Sequence, residues 1–220
     1  MTEKEDYQRQ IVEYGRKMLN DRLVRGTSGN LSVIDREKGI IAITPTGSDY
    51  EQLSIGQVTL MTMNGERMEG NAPSSEYSMH LGIYHARKDV RAIVHTHSMY
   101  ATTLAILGKS IPAIHYMVTM LGGEQIPITP SYELYGTQEL ADSAVEILGD
   151  KYHAALLRRH GVIATGASLP EAFQRAVVVE EMAELYYRAV AIGEPELLSK
   201  EELQAVSGKI YNYGKTTSFA

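Results

Sequence analysis

The sequence predicts an α/β fold: a single domain with a mixed, largely antiparallel central sheet and helices on both faces. Three observations carry this. A chain of 220 residues is long enough for one well-filled core and short for two. Its apolar runs are short and joined by hairpin-type turns, above all Asn64-Gly65, whose residues accept the positive backbone angles of a two-residue connection. Between these runs lie segments with apolar residues at helical spacing.

The elements follow in order. Thr2 with Glu5 makes a capping box for a helix from 3 to about 25, where Tyr7, Ile11, Tyr14 and Met18 share a face. Gly26-Thr27-Ser28-Gly29-Asn30 breaks that period, and LSVIDR then alternates as a strand does. EKG turns the chain into a second strand, IIAIT. QVTLMTM and the Asn64-Gly65 turn begin a hairpin. After PSSE a helix runs through Tyr77, Leu81 and Tyr84, and VRAIVHTH follows as a strand. A short helix passes through Leu104 and Leu107, and another spans 138–148. HAALLRRHGVIATG reads as an apolar strand pair. Ser168-Leu169-Pro170-Glu171 opens the longest helix, to about Ile192, with Pro170 placed early, where its missing N–H costs little. A last helix spans Glu201 to Tyr211.

Composition narrows the function. No run approaches the roughly 20 apolar residues of a membrane helix, and the N-terminus is polar where a secretory signal has an apolar segment. A cytoplasmic location is therefore expected. With no cysteine there is neither a disulfide framework nor a thiolate metal site, so any metal is held by His, Asp or Glu. A net charge of −6 argues against a nucleic-acid groove built on Lys and Arg, and requires any anionic substrate to be captured by a local site.

Two local patterns point to chemistry. His95 and His97 are spaced by two in a strand, so both imidazoles face one way and can converge on one ion. An exposed strand face would give the same spacing. A catalytic zinc takes three protein ligands, and the third could be His80, His85, His115, His153 or His160. His160 fits best, because it too ends an apolar strand and precedes a glycine. His80 and His85 fit ordinary helix surface or packing. Separately, Gly26–Asn30, Thr44-Pro45-Thr46-Gly47 and Pro73-Ser74-Ser75-Glu76 have anion-binding character, the last at a helix N-terminus, where free N–H groups favour negative charge. Taken singly, each is better explained as a turn, a loop or an N-cap.

Taken together, GTSGNLSV, ITPTG, PSSE, HTH and the later HG strand occur in an order that resembles the class II aldolase/epimerase family. SIPAIHYM, YGTQEL and the C-terminal LLSKEEL and YNYG extend the resemblance over nearly the whole chain. It implies a fold like that of the adducin head and one domain over 1–220, with a mobile tail from about 208. It implies zinc, one per subunit, on His95, His97, His160 and Glu76, with Glu76 doubling as the catalytic base. Thr27, Gly29, Asn30, Thr46, Gly47, Ser74 and Ser75 match phosphate-binding loops. Tyr116 matches a proton donor that enters a neighbouring subunit's site, and Tyr213 a tail tyrosine that closes over the site. A homotetramer with shared active sites follows.

The activity so implied is reversible cleavage of a 1-phosphoketose, such as L-fuculose 1-phosphate, into dihydroxyacetone phosphate and a short aldehyde such as L-lactaldehyde. Alternatives are a 5-deoxypentulose-phosphate aldolase, a pentulose-5-phosphate 4-epimerase, a methylthioribulose-1-phosphate dehydratase and, outside catalysis, an adducin-head-like interaction module. Glu rather than Asp at position 76 disfavours the epimerase, and the complete ligand set disfavours the interaction module. Arg158, Arg159 and Tyr135 depart from the aldolase pattern and bear on aldehyde selectivity. By strand parity with His160, Arg158 is expected to face the site and Arg159 to face away.

Overall fold

The computed structural model describes residues 3–210. Its strands are β1 (Asn30–Asp35), β2 (Ile40–Ile43), β3 (Thr59–Thr62), β4 (Arg67–Glu69), β5 (Ala92–Thr96), β6 (Ala154–Leu157) and β7 (Gly161–Gly166). They form one sheet in the order β4-β3-β2-β1-β5-β7-β6, and every neighbouring pair is antiparallel. The helices are α1 (Glu3–Asn20), α2 (Tyr77–Ala86), α3 (Met99–Ile106), α4 (Gln138–Leu148), α5 (Leu169–Ile192) and α6 (Lys200–Ile210). Among the described residues, none is long and apolar enough to cross a membrane.

Strand parity sorts the core into two layers. Leu31, Val33, Val94, Val162 and Ala164 pack with Ile11 of α1, Leu104 of α3 and Val178 of α5. Ile41, Ile93, Ala155 and Ile163 point the other way, onto Met79 and Ile83 of α2 and Leu140 and Ala144 of α4. Both faces of the sheet are thus covered, which is why β5, β6 and β7 read as continuous apolar runs instead of alternating. The later helices are capped at their starts: Thr137 Oγ1 accepts from Leu140 N, and Ser168 Oγ from Glu171 N.

Two sequence expectations shift, and a further group lies outside the described residues. The first helix stops at Asn20, because Arg22 turns left-handed (φ 58) and the chain then buries Leu23 and Val24. The capping box on Thr2, the helix end at Tyr211 and most of the expected tail from 208 lie outside the described residues. Residues 158–160 are the turn between β6 and β7, with Arg159 at φ 55, so strand parity does not apply to them.

The α2 layer also buries polar side chains in line with the apolar ones. His80, only 1% exposed, sits between Asn30 and Ser32 of β1. Burial, with the His95 charge next in weight, pushes its pKa down to about 3 from the ordinary 6.5. Between those values the unfolded chain binds a proton that the folded chain refuses, so stability is lost as pH falls through that window. His80→Gln is expected to remove up to about one proton from the pH dependence of unfolding there. Urea denaturation at a series of pH values reads this, and an unchanged slope contradicts it.

Candidate active site

Glu76 is the N-cap residue of α2, but its carboxylate does not cap the helix. It points instead across the ends of β1 and β5. Register brings this about: Asn30 opens β1 directly opposite His95, and His95 stands opposite Ile163 on β7. His97 lies just past the end of β5, anchored by its N–H on the Leu23 carbonyl (3.2 Å). His160 enters from the β6–β7 turn. The four side chains meet with one ligand atom each, all within 4.8 Å of one another. His95 Nε2 lies 2.9 Å from His97 Nε2 and 3.2 Å from Glu76 Oε2, while His160 Nε2 lies 3.2 Å from Glu76 Oε1.

These separations fit a metal. Bonds of about 2.0–2.1 Å in a tetrahedral shell set the ligand atoms roughly 3.3–3.4 Å apart. The Nδ1–H of His95 donates to the Val162 carbonyl at 2.8 Å, which fixes the tautomer and aims the Nε2 lone pair inward. Glu76 Oε1 is buried yet makes no hydrogen bond, a vacant acceptor in a place where one is costly. Gly161 leaves the space the rings occupy: a Cβ there would sit 2.3 Å from the Thr96 carbonyl oxygen and 3.1 Å from the His97 ring.

The electrostatics agree. Burial alone raises the Glu76 carboxyl, but the charge and hydrogen bond of His95, then His160 and the Asn30 amide, hold it well below the usual carboxylate range. His95 is raised in turn, with burial outweighed by Glu76 and the Val162 carbonyl. Burial first, and the His95 charge second, push His97 down to about 3 and His160 to about 4. At neutral pH these two rings offer lone pairs and Glu76 a negative charge. A divalent cation is what such a donor set, nitrogen and oxygen without sulfur, is suited to hold.

Above the quartet opens a cavity of about 360 Å³. Thr27, Gly29, Asn30, Thr46, Gly47, Ser74 and Ser75 all line it, together with Glu76, His97 and His160. The three anion-type stretches, far apart in sequence, converge here. Gly47 (φ 62) and Gly29 (φ 73) supply the left-handed turns, and a Cβ on Gly29 would meet the His95 carbonyl oxygen at 2.7 Å. The buried Tyr50 hydroxyl donates to the Gly29 carbonyl at 2.7 Å and pins this loop from below. Asn30 gives its side-chain N–H to Glu76 Oε2 at 2.8 Å, so the amide serves the carboxylate before any ligand arrives.

Other residues fall differently from their sequence reading. Arg159, not Arg158, lines the cavity. Arg158 turns away, its Nε donating to the Thr129 carbonyl (3.1 Å) and its guanidinium lying over Gly108. The cause is the left-handed turn at Arg159, which reverses the parity of a continuous strand. Tyr135 lines the cavity, as does Ser28 of the Gly26–Asn30 stretch, and Tyr132 joins them with no signal in the sequence. Tyr116 does not line it; it starts a 3-10 turn (Tyr116–Leu121) and is 46% exposed. Tyr213 lies outside the described residues. His85 bonds the Met63 carbonyl (3.0 Å) and His115 caps the 3-10 turn, which leaves the expected trio as the cluster-forming histidines.

Comparison with known proteins agrees with this geometry. Residues 9–187 match the family described as Class II Aldolase and Adducin N-terminal domain. The chain is 42% identical over 207 residues to a 5-deoxy-D-ribulose 1-phosphate aldolase of Bacillus thuringiensis, covering 94% of this chain and 96% of that one. It is 41% identical over 207 residues to an L-fuculose phosphate aldolase of Escherichia coli, covering 94% of each. A solved L-fuculose 1-phosphate aldolase structure superposes with a TM-score of 0.89 at 40% identity, covering 94% of this chain and 96% of that one. Fold, quartet and sequence converge, and the chain belongs to the class II aldolase family, whose enzymes are metal-dependent lyases.

Proposed function

We propose that the protein cleaves a 1-phosphoketose, in the first place L-fuculose 1-phosphate, into dihydroxyacetone phosphate and a short aldehyde such as L-lactaldehyde, with zinc as its metal. The observation that carries this is one cavity lined by Glu76, His97 and His160 of the quartet and by three loops of neutral anion donors. A metal hydrolase has use for the quartet but not for the loops. Relatives that act on phosphorylated sugars support the same reading.

His95, His97, His160 and Glu76 would hold the ion, which when bound would supply Lewis-acid chemistry to the substrate carbonyl. Thr27, Gly29, Asn30, Thr46, Gly47, Ser74 and Ser75 grip the phosphate with uncharged donors and the N-terminus of α2, which suits a chain of net charge −6. Held at that end, the donor ketose presents C3 in one orientation, and the gain from positioning follows. In the condensation direction Glu76, released from its ligand role when the substrate takes its place, takes the C3 proton and leaves an electron pair at C3. That pair attacks the aldehyde carbon, and Tyr116 of a neighbouring subunit gives a proton to the aldehyde oxygen. Cleavage runs the same transfers backwards.

Tyr116 is exposed and absent from its own chain's cavity, which leaves it free to serve a neighbouring subunit in the homotetramer with shared sites that the proposal includes. We take the enzyme to work in the cytoplasm, where sugar phosphates are held. A second reading, 5-deoxy-D-ribulose 1-phosphate as substrate with acetaldehyde as the product, is favoured by the relative at 42% identity. Arg159, Tyr132 and Tyr135, lining the cavity apart from the three anion loops, are the side chains suited to choose between the aldehydes.

Two outcomes follow. In a coupled assay for dihydroxyacetone phosphate, L-fuculose 1-phosphate and 5-deoxy-D-ribulose 1-phosphate are both cleaved, the former with the higher kcat/KM; release of water or an epimer as the main product contradicts an aldolase. Glu76→Gln, given dihydroxyacetone phosphate in deuterium oxide, loses C3 proton exchange by at least about 100-fold, the scale of a removed general base. Unchanged exchange removes Glu76 from the base role.

A further inference from the structure

Behind Glu76 runs a buried file of polar groups that the reaction scheme leaves unused. Asn30 Nδ2 lies 2.8 Å from Glu76 Oε2, and Asn30 Oδ1 lies 2.6 Å from His80 Nε2. His80 Nδ1 is 2.7 Å from Ser32 Oγ, which is 2.7 Å from Tyr84 OH. All five residues are buried, with His80, Ser32 and Tyr84 at 1% exposure or less. Such a file could be mere core packing. Its chemistry says more, because each proton in it has only one place to be.

An ionised carboxylate only accepts, so Asn30 must turn its NH₂ group to Glu76. Its carbonyl oxygen then faces His80, which must carry its proton on Nε2. Burial keeps the imidazole neutral, so Nδ1 is bare and Ser32 donates to it. The oxygen of Ser32 is left to accept from Tyr84. The direction of all four bonds is therefore fixed by the charge at one end. The converse also holds: a ring bearing its proton on Nε2 at that spot allows the Asn30 amide only one orientation. With the amide turned over, its oxygen would face the carboxylate of Glu76 and its NH₂ the His80 N–H.

We infer that His80, held in its Nε2–H tautomer by Ser32 and Tyr84, is a positioning residue that locks the Asn30 amide and so the orientation of the Glu76 carboxylate. This rests on the proposed role of Glu76 as the base. The helical spacing of Glu76, His80 and Tyr84 and the strand spacing of Asn30 and Ser32 set the two halves of the file on facing surfaces of α2 and β1. Gln at position 80 keeps one donor and one acceptor; Leu keeps neither.

The test has one arm that does not depend on catalysis. ¹⁵N shifts of His80 in the metal-loaded wild-type protein should report a neutral ring protonated at Nε2. A ring protonated at Nδ1 overturns the inference whatever the enzyme's substrate. In the other arm, His80→Leu should lower the kcat for L-fuculose 1-phosphate cleavage about 10- to 100-fold, the scale of a lost bond to a charged group. KM and metal content per chain should stay within about threefold, and His80→Gln should recover most of the loss. A fall in metal content that tracks kcat, or no recovery by Gln, assigns His80 a structural role only and overturns the inference. If His80→Leu does not fold, Ser32→Ala replaces it: it frees the tautomer without emptying the core, and an unchanged kcat overturns the inference. A wild-type protein inactive on every 1-phosphoketose defeats the proposed function instead, while the tautomer measurement still stands.

Discussion

The pairing of β1 with β5 is the constraint on which the site depends. Asn30 stands opposite His95 and Ser32 opposite Ile93, so the polar ends of two apolar strands meet on the α2 face. A slip of one residue in either strand would turn His95 towards α5 and Asn30 away from Glu76. The slip is prevented by the core: Leu31, Val33 and Val94 belong to one apolar layer and Ile93 to the other, and the sheet is buried on both faces. Apolar burial, which carries no chemistry, thereby sets the geometry of the groups that do.

The same arrangement explains how an acidic group survives at 6% exposure. A buried carboxylate is expensive unless it is paired and hydrogen-bonded. Glu76 has three imidazoles within reach on one side and the Asn30 amide on the other. Histidine suits this place because burial leaves His97 and His160 neutral, so they can give lone pairs to an ion instead of competing with it. The proposed phosphate end would follow a different rule. The three loops there offer hydroxyls, glycine-rich backbone and a helix N-terminus, groups suited to an anion that carry no charge of their own.

Much of this was legible in the sequence, because its signals are local. The periods of α4 and α5, the caps at Thr137 and Ser168, the Asn64-Gly65 hairpin and the two-residue spacing of His95 and His97 all depend on neighbours along the chain. His160 stands out by its place beside an apolar strand and before a glycine, but the convergence of the three anion-type stretches needs the whole set of motifs, since spacing along the chain does not say which strand ends are adjacent. Arg158 and Arg159 were assigned to the wrong sides for a definite reason: parity holds only while the backbone stays extended, and Arg159 sits at φ 55. In the sequence His80 reads as ordinary helix surface or packing. Its signal was present in the spacing of Glu76, His80 and Tyr84 along one helix face, but a polar stripe on a helix usually faces water, and only the β1 partners show that this one faces inward.

The central claim is that four side chains from α2, β5 and the β6–β7 turn form one metal centre at the floor of a sugar-phosphate cavity. X-ray absorption at the zinc edge, on protein loaded with one equivalent of zinc, tests it most directly. The account predicts a single site with three imidazole nitrogens and carboxylate oxygen at about 2.0–2.1 Å, and loss of one imidazole in His97→Ala. A spectrum dominated by water oxygens, or one unchanged in His97→Ala, would contradict it.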